Sequence, residues 1–545
     1  MTLPPITPLI LLILGALAIG ASDLARLRRP NLVMVAAASL ALITGLSVRG
    51  DAPVTQIVSG WQPVSVFTAP ISLRVDQAAW ITGVGLLIAN LATALAWLAF
   101  PGESRPAPRA LSLLLVASAL GGIYASNLLT LTIAWGMLDV MFVVALLVRS
   151  GPQAGRRAAV AIILNTTSTM CVWIATLLIE NGHDSLYWHL VNLSDTPRLW
   201  LAVAGVLRMG LYPLHQWLPV DSSREANRSA LLYTVPTLAG LALWARLAMT
   251  RNLPDAPIVP LLALISALIG GVLAWQNSRS RAGLPYVEFG LAGLTVLDVG
   301  TLTSPGTLTA AAVNWLLVVI SLFIARSFSR RAPWWSAGGI VAALSIIGLP
   351  GTLGFVARYA MLGNLTSAGE WGLLAGGLVA DALLIAAVSR IVLAPAGNDQ
   401  PIGLVRQVAC GVAIISAAVP LILLAFNSAL VPGTSSLGSL LSRLEPLTLL
   451  AWLLPVLAGA ALVWRELRLV TPPASSTDME PLDSESSVWL RFIRLDWLSA
   501  SFAYVVQRST ALLRGLASVI EGEGGLIWVI VIVIIGVVLT SGALK

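Results

Sequence analysis

The chain has 545 residues, of which 57% are hydrophobic and only 10% charged, with a mean hydropathy of +0.88. A soluble chain carries roughly 25% charge, so this one cannot clothe a wet surface, and intrinsic disorder and nucleic-acid binding by a basic domain are excluded on the same count. The net charge of +7 comes from 31 arginines and one lysine, Lys545, a surplus that reads as loop arginine beside a bilayer and not as a phosphate-binding patch.

Sixteen apolar runs are long enough to span a membrane. They fall at about 3–20, 31–47, 77–99, 110–126, 127–148, 158–179, 198–216 and 230–249. The others are 256–275, 283–303, 309–328, 334–362, 372–395, 406–427, 445–464 and 525–541. No basic residue precedes the first run, and Arg26, Arg28 and Arg29 follow it. That charge order predicts a retained helix with its N-terminus outside, not a cleaved signal. With that start, 23 arginines fall in loops on the inner side and six on the outer side. The expectation is a multi-pass protein of the bacterial cytoplasmic (inner) membrane with both termini outside. Trp61, Trp80, Trp97, Trp334, Trp335, Trp371 and Trp464 lie near the ends of runs, where interfacial anchors belong.

The expected organisation follows the spans. Residues 1–109 hold three helices, 110–249 and 256–395 hold five each, and 406–464 hold two more. Residues 465–524 combine a Pro/Ser-rich acidic linker with an amphipathic helix over 488–520, and 525–545 carry the last span. The amphipathic stretch mixes Trp489, Phe492, Trp497 and Leu512 with Arg491, Arg494, Arg508 and Arg514. It is expected to lie along the membrane face or a neighbouring subunit.

Charge inside hydrocarbon costs at least about 2.5 kcal/mol per residue at mid-helix on insertion scales, so each such residue needs a partner or a wet path. The candidates are Asp139, Arg208, Glu288, Asp298, Arg358 and Asp381. Both arginines sit in interrupted spans. Arg208 opens RMGLYPLHQWLP, with Gly210, Pro213 and Pro219, and Arg358 closes GLPGTLGFVAR, with Gly348, Pro350, Gly351 and Gly354. Two Gly/Pro-broken spans in corresponding places predict an inverted repeat with ion sites near the midplane. Each charged pair also admits a purely structural reading, His215 is equally well a structural histidine, and Asp298 fits a wet helix end. With three His and two Cys, both Cys in apolar runs, no disulfide frame, metal site or redox cofactor is expected.

RMGLYPLHQWLP resembles the broken-helix motif of the antiporter-like subunits of respiratory complex I, related hydrogenases and Mrp cation/proton antiporters. ISLRVDQAAW (71–80), NLLTLTIAWGMLDVMFVVALL (127–147), SALLYTVPTLAGLALWAR (229–246), LPYVEFGLAG (284–293) and GLPGTLGFVARY (348–359) are similar to further family segments, in the family's order over roughly residues 70–395. The tail resembles the lateral helix and final span of the largest members. The resemblance implies a glutamate–lysine pair in the first half, central Lys or His, and a lysine or glutamate at the second break. Here Gly136 stands at the glutamate position, Arg208 and Arg358 at the two lysines, and Leu238 and Leu291 at the central Lys and His.

Arginine holds its proton in proteins and cannot relay one. Asp139, three residues after Gly136 and so one turn along the same face, is the expected partner of Arg208. Asp381 is the expected partner of Arg358, and Glu288 and His215 are further path candidates. The reading is an all-α membrane protein serving as an antiporter-like, itself non-catalytic subunit of a complex I-like redox complex, contributing to proton translocation. Its expected partners are the other membrane subunits, the lipid bilayer and protons or small cations, with no nucleic acid. The alternatives are a non-conducting structural subunit of such a complex, a cation/proton antiporter and an inorganic-carbon uptake component. An intramembrane enzyme finds no nucleophile elbow, zinc motif or nucleotide fingerprint to support it.

Overall fold

The computed structural model describes residues 3–21, 30–48, 53–60, 69–99, 106–148, 154–182, 185–218, 230–278, 283–327, 336–393, 403–427, 430–431, 437–442 and 445–469, with positions 501, 504, 508 and 511 beyond them. The chain divides into two compact units, 1–481 and 482–545. Of the second unit, the four described residues are helical, and Arg508 Nε donates to Tyr504 Oη at 3.1 Å. The amphipathic helix expected over 488–520 therefore falls mostly outside the described residues, and the span expected over 525–541 falls wholly outside them.

The first unit is a helical bundle. Its helices are α1 (Thr7–Gly20), α2 (Pro30–Ser47), α3 (Gln77–Ala99), α4 (Ala107–Ile123), α5 (Leu128–Val148), α6 (Ala154–Asn181), α7 (Asp195–Met209) and α8 (Ala230–Met249). They continue as α9 (Ile258–Gln276), α10 (Gly283–Thr295), α11 (Gly306–Ser327), α12 (Ala337–Ile347), α13 (Leu353–Ala368), α14 (Trp371–Leu393), α15 (Leu404–Phe426), α16 (Leu437–Ser442) and α17 (Pro446–Leu469). Ten described helices are long and apolar enough to cross a membrane. Together with the broken spans they make this a multi-pass membrane protein.

Helices α3, α8 and α11 are apolar all round and almost wholly covered, and they pack on one another at the centre. Pro236 inside α8 is tolerated because neighbouring helices surround it. Within 107–249, α4 packs on α5 and α8, α5 on α6, and α6 on α7. Within 258–393 the neighbours repeat: α9 on α10 and α14, α10 on α11, and α11 on α12 and α13.

Both expected breaks are present, and one local expectation is corrected. The run at 198–216 is not one helix: α7 stops at Met209, and a 3-10 turn over Leu214–Trp217 follows. Gly210 ends it in the left-handed region at φ 67°, which a side chain would oppose. The run at 334–362 is likewise two helices. Gly348, at φ 70°, ends α12 with the Leu349 N–H returning to the Leu344 carbonyl at 2.9 Å, and Pro350 prevents continuation. The correction concerns residues 51–76, to which the all-α reading gives no strand: they contain an antiparallel hairpin of β1 (Val54–Ser59) and β2 (Ile71–Val75).

Helix direction alternates along the chain, so the hairpin shares one end of the bundle with the starts of α3, α5, α7, α9, α11 and α14 and the ends of α4, α6, α8, α10 and α13. Backbone bonds tie that end together. Arg74 donates to Tyr124, Ser126 to Ser72, Trp188 to Ser126 and Leu128 to Leu186. The Asn127 amide bridges the Pro70 carbonyl at 2.8 Å and Ser72 Oγ at 3.0 Å.

Candidate functional site

In the first half, α7 carries Arg208 in its last turn, beside carbonyls that the break leaves without helical partners. A cation there also meets the negative end of the helix dipole. Arg208 is 1% exposed and donates from Nη1 to Asp139 on α5. Nη2 donates to Thr169 Oγ1 at 2.7 Å, and that hydroxyl donates to the other Asp139 oxygen at 2.6 Å. Trp135, one turn before Asp139, offers its ring face 4.3 Å from the guanidinium carbon. The expected Arg208–Asp139 pair therefore exists, closed into a triangle by Thr169. Nothing approaches within 4 Å of the site where a Cβ would stand on Gly136.

In the second half Arg358 lies beyond the break, on α13, and reaches back to the end of α12. It donates to the Ile346 carbonyl at 3.3 Å and to that of Ile347, and it pairs with Asp381 on α14. The two arginines stand on opposite sides of their breaks: Arg358 donates to carbonyls at the end of the first half-helix, whereas Arg208 donates to side chains of α5 and α6. Trp452 on α17 supports this break, donating from Nε1 to the Ile347 and Gly348 carbonyls at 3.0 Å each. Nothing in the spacing of the sequence pointed to Trp452 or Thr169, because each arrives from a helix remote in the chain.

A cavity of about 80 Å³ opens against the second pair, room for about five waters. Its polar lining includes Asp298, Thr307, Asn314, Ser345, Arg358 and Asp381. Asn364 holds Asp298, donating to it at 2.7 Å while accepting from Thr303 Oγ1 at 2.7 Å. Ser345 donates to Asn314 at 2.7 Å and accepts from the Gly354 N–H at 3.1 Å. Asp298, read as a plain wet helix end, is 5% exposed and belongs to this chamber.

Glu288 and His215 occupy the ground between the halves. His215 sits in the 3-10 turn after the first break, stacked between Tyr212 and Phe289 with ring centroids 5.5 and 4.9 Å away. Glu288, next to Phe289 on α10, is 1% exposed, and its two carboxylate oxygens receive no hydrogen bond among the described residues. Thr237 on α8 is the hydroxyl beside it. Four of the six residues thus form two ion pairs, while His215 and Glu288 are linked through Phe289, which stacks on His215 and follows Glu288 on α10.

A smaller cavity of about 30 Å³ lies in the first half between α3, α4, α5 and α8. Trp135 lines one part of it and Arg246 another. Arg246 pairs with Asp76, which also accepts from the Ala79 N–H at 2.9 Å. Burial alone would raise the Asp76 carboxyl, but Arg246, that N–H and Arg74 together hold it below its ordinary value of 3.8.

Residues 125–383 match the family model described as NADH:quinone oxidoreductase/Mrp antiporter, transmembrane. The chain is 26% identical over 340 residues to NADH-quinone oxidoreductase subunit N of Salinispora tropica, an alignment covering 53% of this chain and 66% of that protein. A chain of the Mrp complex from a Dietzia species superposes with a TM-score of 0.72 at 19% identity, over 98% of this chain and 63% of that one. A chain of an archaeal membrane-bound sulfane sulfur reductase, a respiratory membrane complex, superposes at 0.67 with 16% identity over 98% and 99%.

Proposed function

We propose that this chain, which belongs to the antiporter-like membrane subunit family of NADH:quinone oxidoreductases and Mrp antiporters, is a subunit of a complex I-like redox complex of the bacterial inner membrane and helps to carry protons across it. The observation that carries the reading is the chamber of about 80 Å³ in the second half, walled by Asp298, Asp381 and Arg358 at the point where a helix is broken. Water and carboxylates in such a chamber can pass a proton, whereas a guanidinium cannot.

Arg208 and Arg358 then act as fixed positive charges. Each holds a carboxylate in place and sets the local field, and the exchangeable protons reside on Asp298, Asp381 and Glu288 and on the water between them. The matching neighbour order of α4–α8 and α9–α14 supports two repeated five-span units, with breaks at α7 and at α12/α13. The arginine distribution supports N-out, C-out orientation, and the family's largest members support sixteen spans with a lateral helix. The electron chemistry belongs to other subunits, since this chain contributes charge and a path.

The test is purification of the tagged protein from native membranes in mild detergent, with identification of whatever stays bound, followed by proton uptake by vesicles. Redox subunits in the eluate, and a lower proton yield per electron in Asp381→Asn at equal assembly, are the expected results. A protein that purifies alone, or with one soluble partner, would overturn the redox assignment and favour a transporter. The closed Arg208–Asp139–Thr169 triangle favours a second reading, a subunit that does not conduct, and that reading predicts unchanged proton yield in Asp381→Asn.

A further inference from the structure

The Asp76–Arg246 pair stands where the hairpin end of the bundle meets the smaller cavity. Arg246, at the end of α8, lines that cavity itself, and Trp135 lines it too while its ring covers Arg208. Thr82 and Thr309 add hydroxyls. The Thr309 hydroxyl is fully buried and has no partner among the described protein groups, which is the condition in which water supplies the missing bond. The volume suffices for about two waters. Asp76 is acted on by a second arginine, Arg74, two residues earlier in β2. It can therefore leave Arg246 without becoming an isolated charge.

We infer that Asp76 is a gate residue that exchanges between Arg246 and Arg74, and that its release of Arg246 opens a water route from the hairpin end of the bundle to Trp135 and the Arg208–Asp139 pair. The positive charge of Arg74 offsets part of what Asp76 loses on leaving Arg246. Arg246, freed, follows its own long stem out of the cavity, whereas its bond to the Ile123 carbonyl at 3.4 Å holds it only weakly. The inference deepens the proposed proton path and rests on it, and it places water access to the first half at the same end as Asp298 in the second.

Thiol accessibility in the full-length protein tests this. Cys171 and Cys410 are replaced by Ala, Thr82→Cys is introduced, and its modification by a small membrane-impermeant methanethiosulfonate is timed from each side of the membrane. Labelling from the hairpin side alone is expected. Arg246→Gln, which leaves Asp76 with Arg74, should speed it about fivefold, and Arg74→Gln should slow it by a similar factor, as for a part-buried pair. A structural pair would respond otherwise, both variants loosening the site and speeding the reaction. That outcome, equal rates in all variants, or labelling from the opposite side overturns the gate. Labelling reads access and not pumping, so its failure is distinguishable from failure of the redox assignment.

Discussion

Replacing Asp139 by Asn removes the counter-charge of Arg208 while keeping the shape of the side chain. Arg208 is 1% exposed and cannot swing into water. Removing one partner of a buried ion pair costs about 3–5 kcal/mol. An interhelical hydrogen bond in a membrane bundle is worth only about 0.6 kcal/mol, because the unfolded chain finds other partners in the bilayer. The Trp135 face remains as a cation–π contact worth about 1–2 kcal/mol when desolvated, so the loss should fall near the lower bound, about 3 kcal/mol. Thr169→Val, which removes only hydroxyl bonds, should cost about 1 kcal/mol or less. The double variant Asp139→Asn, Arg208→Gln should recover most of the stability, since no charge is left stranded. Unfolding titrations in mixed micelles rank the three variants. An Asp139→Asn protein no less stable than Thr169→Val would refute the picture of a desolvated guanidinium dependent on one carboxylate.

Glu288→Gln should leave stability unchanged or slightly raised, because no cation or donor is lost, and should lower proton uptake by vesicles. Gly354→Ala should lose assembly, since its Cβ would fall 1.7 Å from the Ser345 carbonyl oxygen and that backbone cannot yield without shifting α12, a cost of roughly 3 kcal/mol or more; detergent-stable yield measures it. Trp452→Phe should cost about 1 kcal/mol from the bonds lost at Ile347 and Gly348, visible as a lower melting temperature. Asp76 is held below 3.8, so its stabilisation is complete above the ordinary carboxylate range and disappears as pH falls through its lowered value. The stability of Asp76→Asn should accordingly fall less steeply with acid than that of the parent, which a pH series of melting curves measures.

Much of the architecture was legible because lipid imposes a simple rule: a spanning segment must satisfy its own backbone and present apolar side chains. Run lengths therefore located α3, α5, α8, α9, α11, α14 and α15 to within a few residues. The breaks were legible as well, since Gly210, Gly348 and Pro350 have few other uses inside a span. Each first half-helix ends at its left-handed glycine and not at the end of the apolar run, so run length alone overstates it. The hairpin was missed for a related reason. Its strands are short, and their pairing at Val54 and Val75 depends on tertiary contact with Tyr124 and Ser126.

Sequence alone determined that charges lie within spans long enough to cross a bilayer, and the resemblance to the antiporter-like subunits placed Arg208 and Arg358 where the family carries lysine. The Asp139 and Asp381 pairings also followed, because a lone guanidinium in lipid demands a carboxylate within reach. Only the tertiary structure decided the rest. Thr169 closes one pair while the other opens on a chamber, Trp452 arrives from 104 residues beyond Gly348 to hold the second break, and Asp76 meets Arg246 across 170 residues. The physical reason is that a helix sets spacing along its own axis, whereas which residues of distant helices converge depends on how the whole bundle packs.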